Sequence, residues 1–157
     1  MSDFLFRGYR AGDLYAMYAL DVVCFEEPFR FSRRDMRTFA EARGAKVVIA
    51  ELDGVLAGFC IVHVGAAKRG CVGYVVTLDV APEFRRSGLA TRLMERAEGE
   101  ALAAGCGEMR LHVFTGNEAA IRFYERTGYE FVARDEGFYG VRVDALVYRK
   151  VLMGAIL

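Results

Sequence analysis

Residues 71 to 114 read as a strand, a tight loop, a helix and a second strand, and this order constrains the fold more than any other feature of the chain. Cys71 to Val80 is rich in β-branched and aromatic residues and stops before Pro82. Glu83 to Gly88 is a charged loop. Leu89 to about Ala104 carries Leu93, Met94, Ala97 and Ala101 at helical spacing, and Gly105 and Gly107 end it. Met109 to Phe114 is again strand-like. Strands joined through such a helix lie parallel, with a right-handed crossover, because the helix returns the chain to the same end of the sheet.

The rest of the chain supplies elements to extend that sheet. Phe4 to Arg7 reads as a short first strand. Asp13 is placed to cap a helix from Leu14 to about Cys24, with Leu14, Met17, Tyr18 and Val22 on its apolar side. Glu26-Glu27-Pro28-Phe29-Arg30-Phe31 breaks it, and Ser32 caps a second helix to about Arg43, ended by Gly44. Lys46 to Glu51 and Val55 to Val64 form a hairpin across Asp53-Gly54, followed by a polar loop from Gly65 to Gly70. Asn117 caps a helix to Thr127, stopped by Gly128. Phe131 to Arg134 and Ala145 to Val151 are the last strands, across a Gly137–Gly140 turn. The expected order is βααβββαβαββ: one mixed α/β domain over residues 1–157, with about seven strands and about four helices.

Composition narrows the partners. Lys plus Arg number 21, and so do Asp plus Glu, so the chain lacks the basic excess of proteins that live on nucleic acid or an anionic membrane. No apolar run approaches the roughly 20 residues needed to span a bilayer. Met1 to Arg7 lacks the basic-then-apolar order of a signal peptide, so the expected location is the cytoplasm. Cys24, Cys60, Cys71 and Cys106 are widely spaced, with no C-x-x-C, and the only histidines are His63 and His112. Neither a metal site nor a disulfide framework is expected, and the thiols read as buried and inert. His63 sits in an alternating strand and reads as structural.

The chemistry concentrates where the strand ends, at Leu78-Asp79-Val80-Ala81-Pro82-Glu83-Phe84-Arg85-Arg86-Ser87-Gly88-Leu89-Ala90. The first turn of a helix has N–H groups without partners and a positive dipole end, which suit a phosphate. Gly88 and Ala90 allow close approach, and Arg85 and Arg86 add charge. No Gly-Lys-[Ser/Thr] follows, so this is not a Walker loop, nor is it the dinucleotide G-x-G-x-x-G. Read alone, it is equally a capped helix with a tight entry turn.

Arg85-Arg86-Ser87-Gly88-Leu89-Ala90 resembles the [Q/R]-x-x-G-x-[G/A] signature of the GCN5-related N-acetyltransferase superfamily. The resemblance implies a GNAT fold with acetyl-CoA as acyl donor. Its pyrophosphate would lie on the amides of Arg85, Arg86, Ser87, Gly88, Leu89 and Ala90, and its pantetheine arm along the strand backbone at Leu78 and Val80. Leu111 to Tyr129 is similar to a run of the RimI-like protein N-terminal acetyltransferases. Within it Asn117 matches a CoA-contacting asparagine, and Tyr124 a tyrosine that protonates the departing thiolate. Phe138-Tyr139 and Asp144-Ala145-Leu146 resemble that branch's ending, which places Tyr139 beside the acceptor. Phe25 to Ser32 looks like its acceptor-side loop, which brings in Phe29.

One departure stands out: the RimI-like enzymes carry a glutamate where this chain has His112. In that branch the carboxylate is the general base, often through water. Imidazole, with an unperturbed pKa of about 6.5, can do the same work. A strand histidine satisfied by its neighbours is the other reading of His112, and Asp79 is a reserve base or acceptor contact. Tyr124 could equally be core, beside Ala120, Phe123 and Thr127. The resemblance implies a protein or peptide N-terminus as acceptor. A small amine (polyamine, amino acid or antibiotic) and a non-catalytic acyl-CoA-binding domain stay open, as do monomer and homodimer.

Overall fold

The computed structural model describes residues 3–68 and 70–152; Met1 and Ser2 of the N-terminal reading and Arg69 of the polar loop lie outside them. The chain runs β1 (Leu5–Arg7), α1 (Leu14–Cys24), α2 (Arg33–Ala40), β2 (Ala45–Leu52), β3 (Val55–Ala66), β4 (Cys71–Val80), α3 (Leu89–Ala103), β5 (Glu108–Phe114), α4 (Glu118–Arg126), β6 (Glu130–Gly140) and β7 (Val143–Val151). This is the expected βααβββαβαββ order, closed into one seven-stranded sheet ordered β1-β2-β3-β4-β5-β7-β6. Among the described residues only β4 and β5 pair in parallel, as a helical crossover requires. No described helix is long and apolar enough to cross a membrane.

Both faces of the sheet are covered. Leu89, Leu93, Met94, Ala97 and Ala101 of α3 pack with Val48, Cys60, Val62, Val75, Met109, Leu111 and Val113, and Tyr124 of α4 joins the same core. Met17 of α1 and Met36 and Ala40 of α2 pack on the opposite face with Val47, Ile49, Phe59 and Ile61. Gly73 sets the closeness of α3, since a Cβ there would lie 2.7 Å from the Met109 sulfur and 3.0 Å from the Ala101 Cβ.

Several local expectations are corrected. Asp13 does not cap α1; a 3-10 turn (Ala11–Asp13) precedes the helix, and the carboxylate instead binds the Arg7 guanidinium at 2.8 and 2.9 Å and the Arg10 N–H at 2.8 Å. Ser32 and Asn117 do cap their helices, accepting from the N–H of Asp35 and of Ala120. The second helix stops at Ala40, short of Arg43. β3 runs on to Ala66, paired with Cys71, so the loop after it is shorter than expected. The Gly137–Gly140 turn is absent: β6 continues to Gly140, and the chain reverses there, with Arg142 in the left-handed region and Gly140 paired with Val143. Cys71 and Cys106 are not free thiols but joined in a disulfide, because the turn after α3 returns the chain to β4, where Gly107 N–H donates to the Cys71 carbonyl. Cys24 and Cys60 are free, Cys60 fully buried. His63 is structural as expected, its Nε2 lying 2.8 Å from the Phe39 carbonyl.

Candidate active site

The site begins with a fault in the sheet. Opposite Ile61 and Val62 of β3 stand Thr77 and Val75 of β4, so Val76 is an extra, bulged residue. β4 and β5 pair only from Val72–Glu108 to Val75–Leu111. Past Leu111 no pairing joins them, so Val76 to Val80 and His112 to Phe114 border a split in the sheet. The bulge also shifts the alternation of β4. Val75 and then Leu78 and Val80 face the α3 core, whereas Asp79 turns toward α1.

Below the split the chain leaves β4 through a 3-10 turn (Pro82–Phe84) and enters α3. Arg85, Arg86, Ser87 and Gly88 are exposed, and Leu89 is buried beneath them. Gly88 stands at φ +82°, where a side chain is strained, and open space surrounds it. No side chain caps α3, so its first-turn N–H groups stay available to an anion. Ser87 donates to the Phe84 carbonyl and so shapes the loop. Arg85 folds back, with Nε at 3.3 Å from the Val80 carbonyl and a second guanidinium nitrogen at 3.7 Å from the Cys24 sulfur. The Val80 carbonyl, expected to pair with a ligand, is thus occupied in this arrangement.

Tyr124 reaches the split from the α3 side. It is 9 % exposed, packed edge-on to Phe123 and Tyr129 at 5.2 and 5.6 Å. Burial pushes its hydroxyl well above the ordinary phenol range, and Tyr139, Asp79 and Tyr74 are close enough to add to the shift. Asn117 uses its Oδ1 on the Ala120 N–H at 3.2 Å, which leaves its Nδ2 free to donate elsewhere.

His112 reaches the split from the other face. Met109, Leu111 and Val113 point into the α3 core, so His112 and Phe114 point away from it. The Tyr74 hydroxyl lies 2.8 Å from His112 Nδ1, and an Asp135 carboxylate oxygen lies 3.0 Å from Nε2. A carboxylate cannot donate, so the neutral ring carries its proton on Nε2 and keeps the Nδ1 lone pair facing Tyr74. Burial pushes the Tyr74 hydroxyl upward as well, so it remains a donor. Phe138 stacks on the imidazole at 3.8 Å. Phe29 touches Phe114 and Tyr139 at 4.9 and 5.0 Å, completing an aromatic wall. Asp144 braces the hairpin behind that wall, accepting from Arg134 and from the Gly137 N–H.

His112, Tyr124, Tyr139 and Phe29 are therefore brought around one split, with the Arg85–Ala90 loop at its end. Asp79 is not an exposed neighbour of that space. It is fully buried, because the bulge at Val76 turns it onto α1. Tyr74, Asp135 and Asp21 escaped the sequence reading. Asp21 alone left a signal: it interrupts the apolar stripe Leu14, Met17, Tyr18 at the next helical position. An open surface hollow of about 330 Å³ between β1 and α3 contains none of these residues.

The fold is shared with the ribosomal-protein-S18-alanine N-acetyltransferase of Escherichia coli, at 21% identity over 99% of both chains and a TM-score of 0.82. Arabidopsis thaliana NAA60 in complex with a bisubstrate analogue aligns at 24% identity over 98% of this chain and 100% of that one, with a TM-score of 0.85. Nourseothricin acetyltransferase aligns at 24% identity over 96% and 99%, with a TM-score of 0.76. The family model for the acetyltransferase (GNAT) family matches residues 14–129, most of the chain, and the protein accordingly belongs to that family of acetyltransferases.

Proposed function

We propose that the protein transfers an acetyl group from acetyl-CoA to the α-amino group of a protein or peptide. The observation that carries this reading is the split between β4 and β5, flanked by Tyr124 on one face and by Tyr74–His112–Asp135 on the other. A donor laid along β4 from the α3 side and an amine arriving from the α1 side would meet there. The exposed loop residues Arg86 to Gly88, the open space over Gly88 and the uncapped start of α3 suit the donor's pyrophosphate. Leu78 and Val80 offer backbone on the strand edge that β5 leaves, once Arg85 releases the Val80 carbonyl.

In this reading the Tyr74 oxygen or a water beside it accepts a proton from the attacking amine, and the Tyr74 hydroxyl passes its own to His112 Nδ1. Asp135 stabilises the imidazolium that results. Tyr124 gives its proton to the leaving sulfur. Holding both reactants across the split supplies much of the rate. Phe29, Phe114 and Tyr139 would flank the first side chain of the acceptor, a role that favours a peptide over a compact polyamine. A ribosomal-protein-alanine N-acetyltransferase shares this fold, which agrees with that class, and so does a nourseothricin acetyltransferase, so it is the aromatic wall that favours a peptide.

Two results test it. CoA release with a panel of peptides bearing free N-termini should exceed that with lysine, spermidine or an aminoglycoside at equal concentration; faster turnover of a small amine than of every peptide would move the acceptor to that class. Gly88→Glu puts a carboxylate where the pyrophosphate is proposed to lie, and should weaken acetyl-CoA binding well over tenfold, more than about 1.4 kcal/mol. Gly88→Asn, which tolerates the left-handed backbone, is the neutral control and should bind more tightly than the glutamate variant. Near-normal calorimetric affinity in folded Gly88→Glu would remove the loop from the donor site.

A further inference from the structure

Beneath the split lies a pair of carboxyl groups that the proposed chemistry does not use. Asp21 of α1 and Asp79 of β4 are both 0 % exposed. Each has one oxygen satisfied: Asp21 Oδ2 accepts from the Phe31 N–H at 2.7 Å, and Asp79 Oδ1 from the Thr77 hydroxyl at 2.6 Å. Each has one left over, Asp21 Oδ1 and Asp79 Oδ2, buried with no donor among the described residues. The Asp21 carboxyl also lies close enough to that of Asp79 to raise its pKa. Two ionised carboxylates buried side by side would repel strongly, and neither leftover oxygen would have a hydrogen to accept. One proton between the leftover oxygens satisfies all four atoms at once.

We infer that Asp21 and Asp79 share a single proton and act as a positioning pair, clamping the segment that carries Phe29 to the end of the strand that borders the split. The Phe31 N–H, two residues beyond Phe29, is tied to Asp21, and Asp79 lies between Leu78 and Val80. One buried bridge thus sets the distance between the proposed acceptor wall and the proposed donor strand. Burial and the Asp21 neighbour hold the Asp79 carboxyl well above the ordinary carboxylate range, in agreement with a retained proton. The neighbouring thiols bring no compensating cation. Burial raises Cys24 to about 11 and pushes Cys60 higher still, and Arg85 reaches the Cys24 sulfur and the Val80 carbonyl instead of either carboxylate. The role assigned to the pair rests on the reading of Phe29 as an acceptor contact; the shared proton does not.

The two parts are tested separately. Infrared spectra of the whole protein at neutral pH, with and without ¹³C-labelled aspartate, should show one protonated aspartate carboxyl, absent from Asp79→Asn. A spectrum with ionised aspartates only overturns the shared proton, whatever the enzyme acetylates. Asparagine keeps a donor toward Asp21 and an acceptor for Thr77, so Asp79→Asn should hold the acceptor KM within about threefold. Asp79→Ala strips the bridge and should raise the acceptor KM about tenfold or more, with acetyl-CoA affinity changed less than about threefold. Thr77→Val, which keeps both aspartates, is the milder variant should the alanine protein not fold, and should give an intermediate rise. Unchanged acceptor KM in the folded variants, or equal losses in donor and acceptor binding, overturns the positioning role. Should no amine be acetylated while the infrared band is present, the proposed function falls and the proton pair stands.

Discussion

Replacing His112 with alanine is expected to lower kcat/KM by about 10²-fold or more, the range for removing a general base. The reason is the geometry of its ring. Asp135 holds Nε2–H, so Nδ1 is the one basic nitrogen, and the Tyr74 hydroxyl is already aimed at it. The neutral imidazole is the active form, since only its free Nδ1 lone pair can take the proton. The tyrosines do not blur the assignment: burial raises Tyr139 to about 12 and pushes Tyr74 and Tyr124 up as well, so none ionises near neutrality. The acceptor's own α-ammonium, with a pKa of about 7.7 to 8.0, gives kcat/KM a rise with pH that alanine should leave in place. His112→Glu should recover part of the rate, because it restores a proton acceptor at the same strand position. His112→Gln, similar in size and unable to take the proton, should not. An alanine variant that keeps most of its rate would make His112 a strand residue held by its two neighbours.

That test turns on residues of unequal legibility. His112 was visible as a candidate because it stands where the run that Leu111 to Tyr129 resembles carries a glutamate. Its partners were not. Tyr74 looks like any β-forming residue of Cys71–Val80, and Asp135 lies in a stretch whose turn was expected several residues too early. Strand pairing between residues far apart in sequence brings them together, and no local pattern encodes a cross-strand contact. The stops and caps that shape the site were legible for the opposite reason. Ser32, Pro82, Gly88 and Asn117 act through local backbone chemistry, and the structure keeps a helix boundary or a chain break at each.

The bulge at Val76 marks the limit of such reading most sharply. Strict alternation along Gly73, Val75, Thr77 and Asp79 would put Asp79 on the same face as the α3 core. One extra residue reverses everything after it, which puts Leu78 and Val80 there instead and sends Asp79 to Asp21. Val75-Val76-Thr77 offers no glycine, and its one polar residue, Thr77, is an ordinary strand former, so nothing announces the irregularity. The same irregular stretch adjoins the place where β4 and β5 stop pairing, so the feature hardest to read locally is the one that opens the site.

Tyr124→Phe should lower kcat by about 10²-fold, the low end for losing a general acid, while acetyl-CoA affinity changes little. The substitution removes one hydroxyl from a ring that Phe123 and Tyr129 hold edge-on, so the packing survives and the melting temperature should move only slightly. No side-chain hydrogen bond contributes to the raised pKa of that hydroxyl, so deleting it strands no partner. Any large loss must then come from what the hydroxyl does during turnover. A phenol whose pKa burial has raised keeps its proton across the working pH range. In the proposed reaction it would release that proton to the sulfur as the thiolate forms, the hydroxyl and the leaving group meeting at the same split. The kinetics separate this role from simple contact with the donor. Loss of contact would raise the acetyl-CoA KM and spare kcat, whereas loss of the acid lowers kcat and kcat/KM together. A phenylalanine variant that turns over at the native rate with both substrates saturating would leave Tyr124 as a packing residue of the α3 core and assign the leaving-group proton to water or to Tyr139.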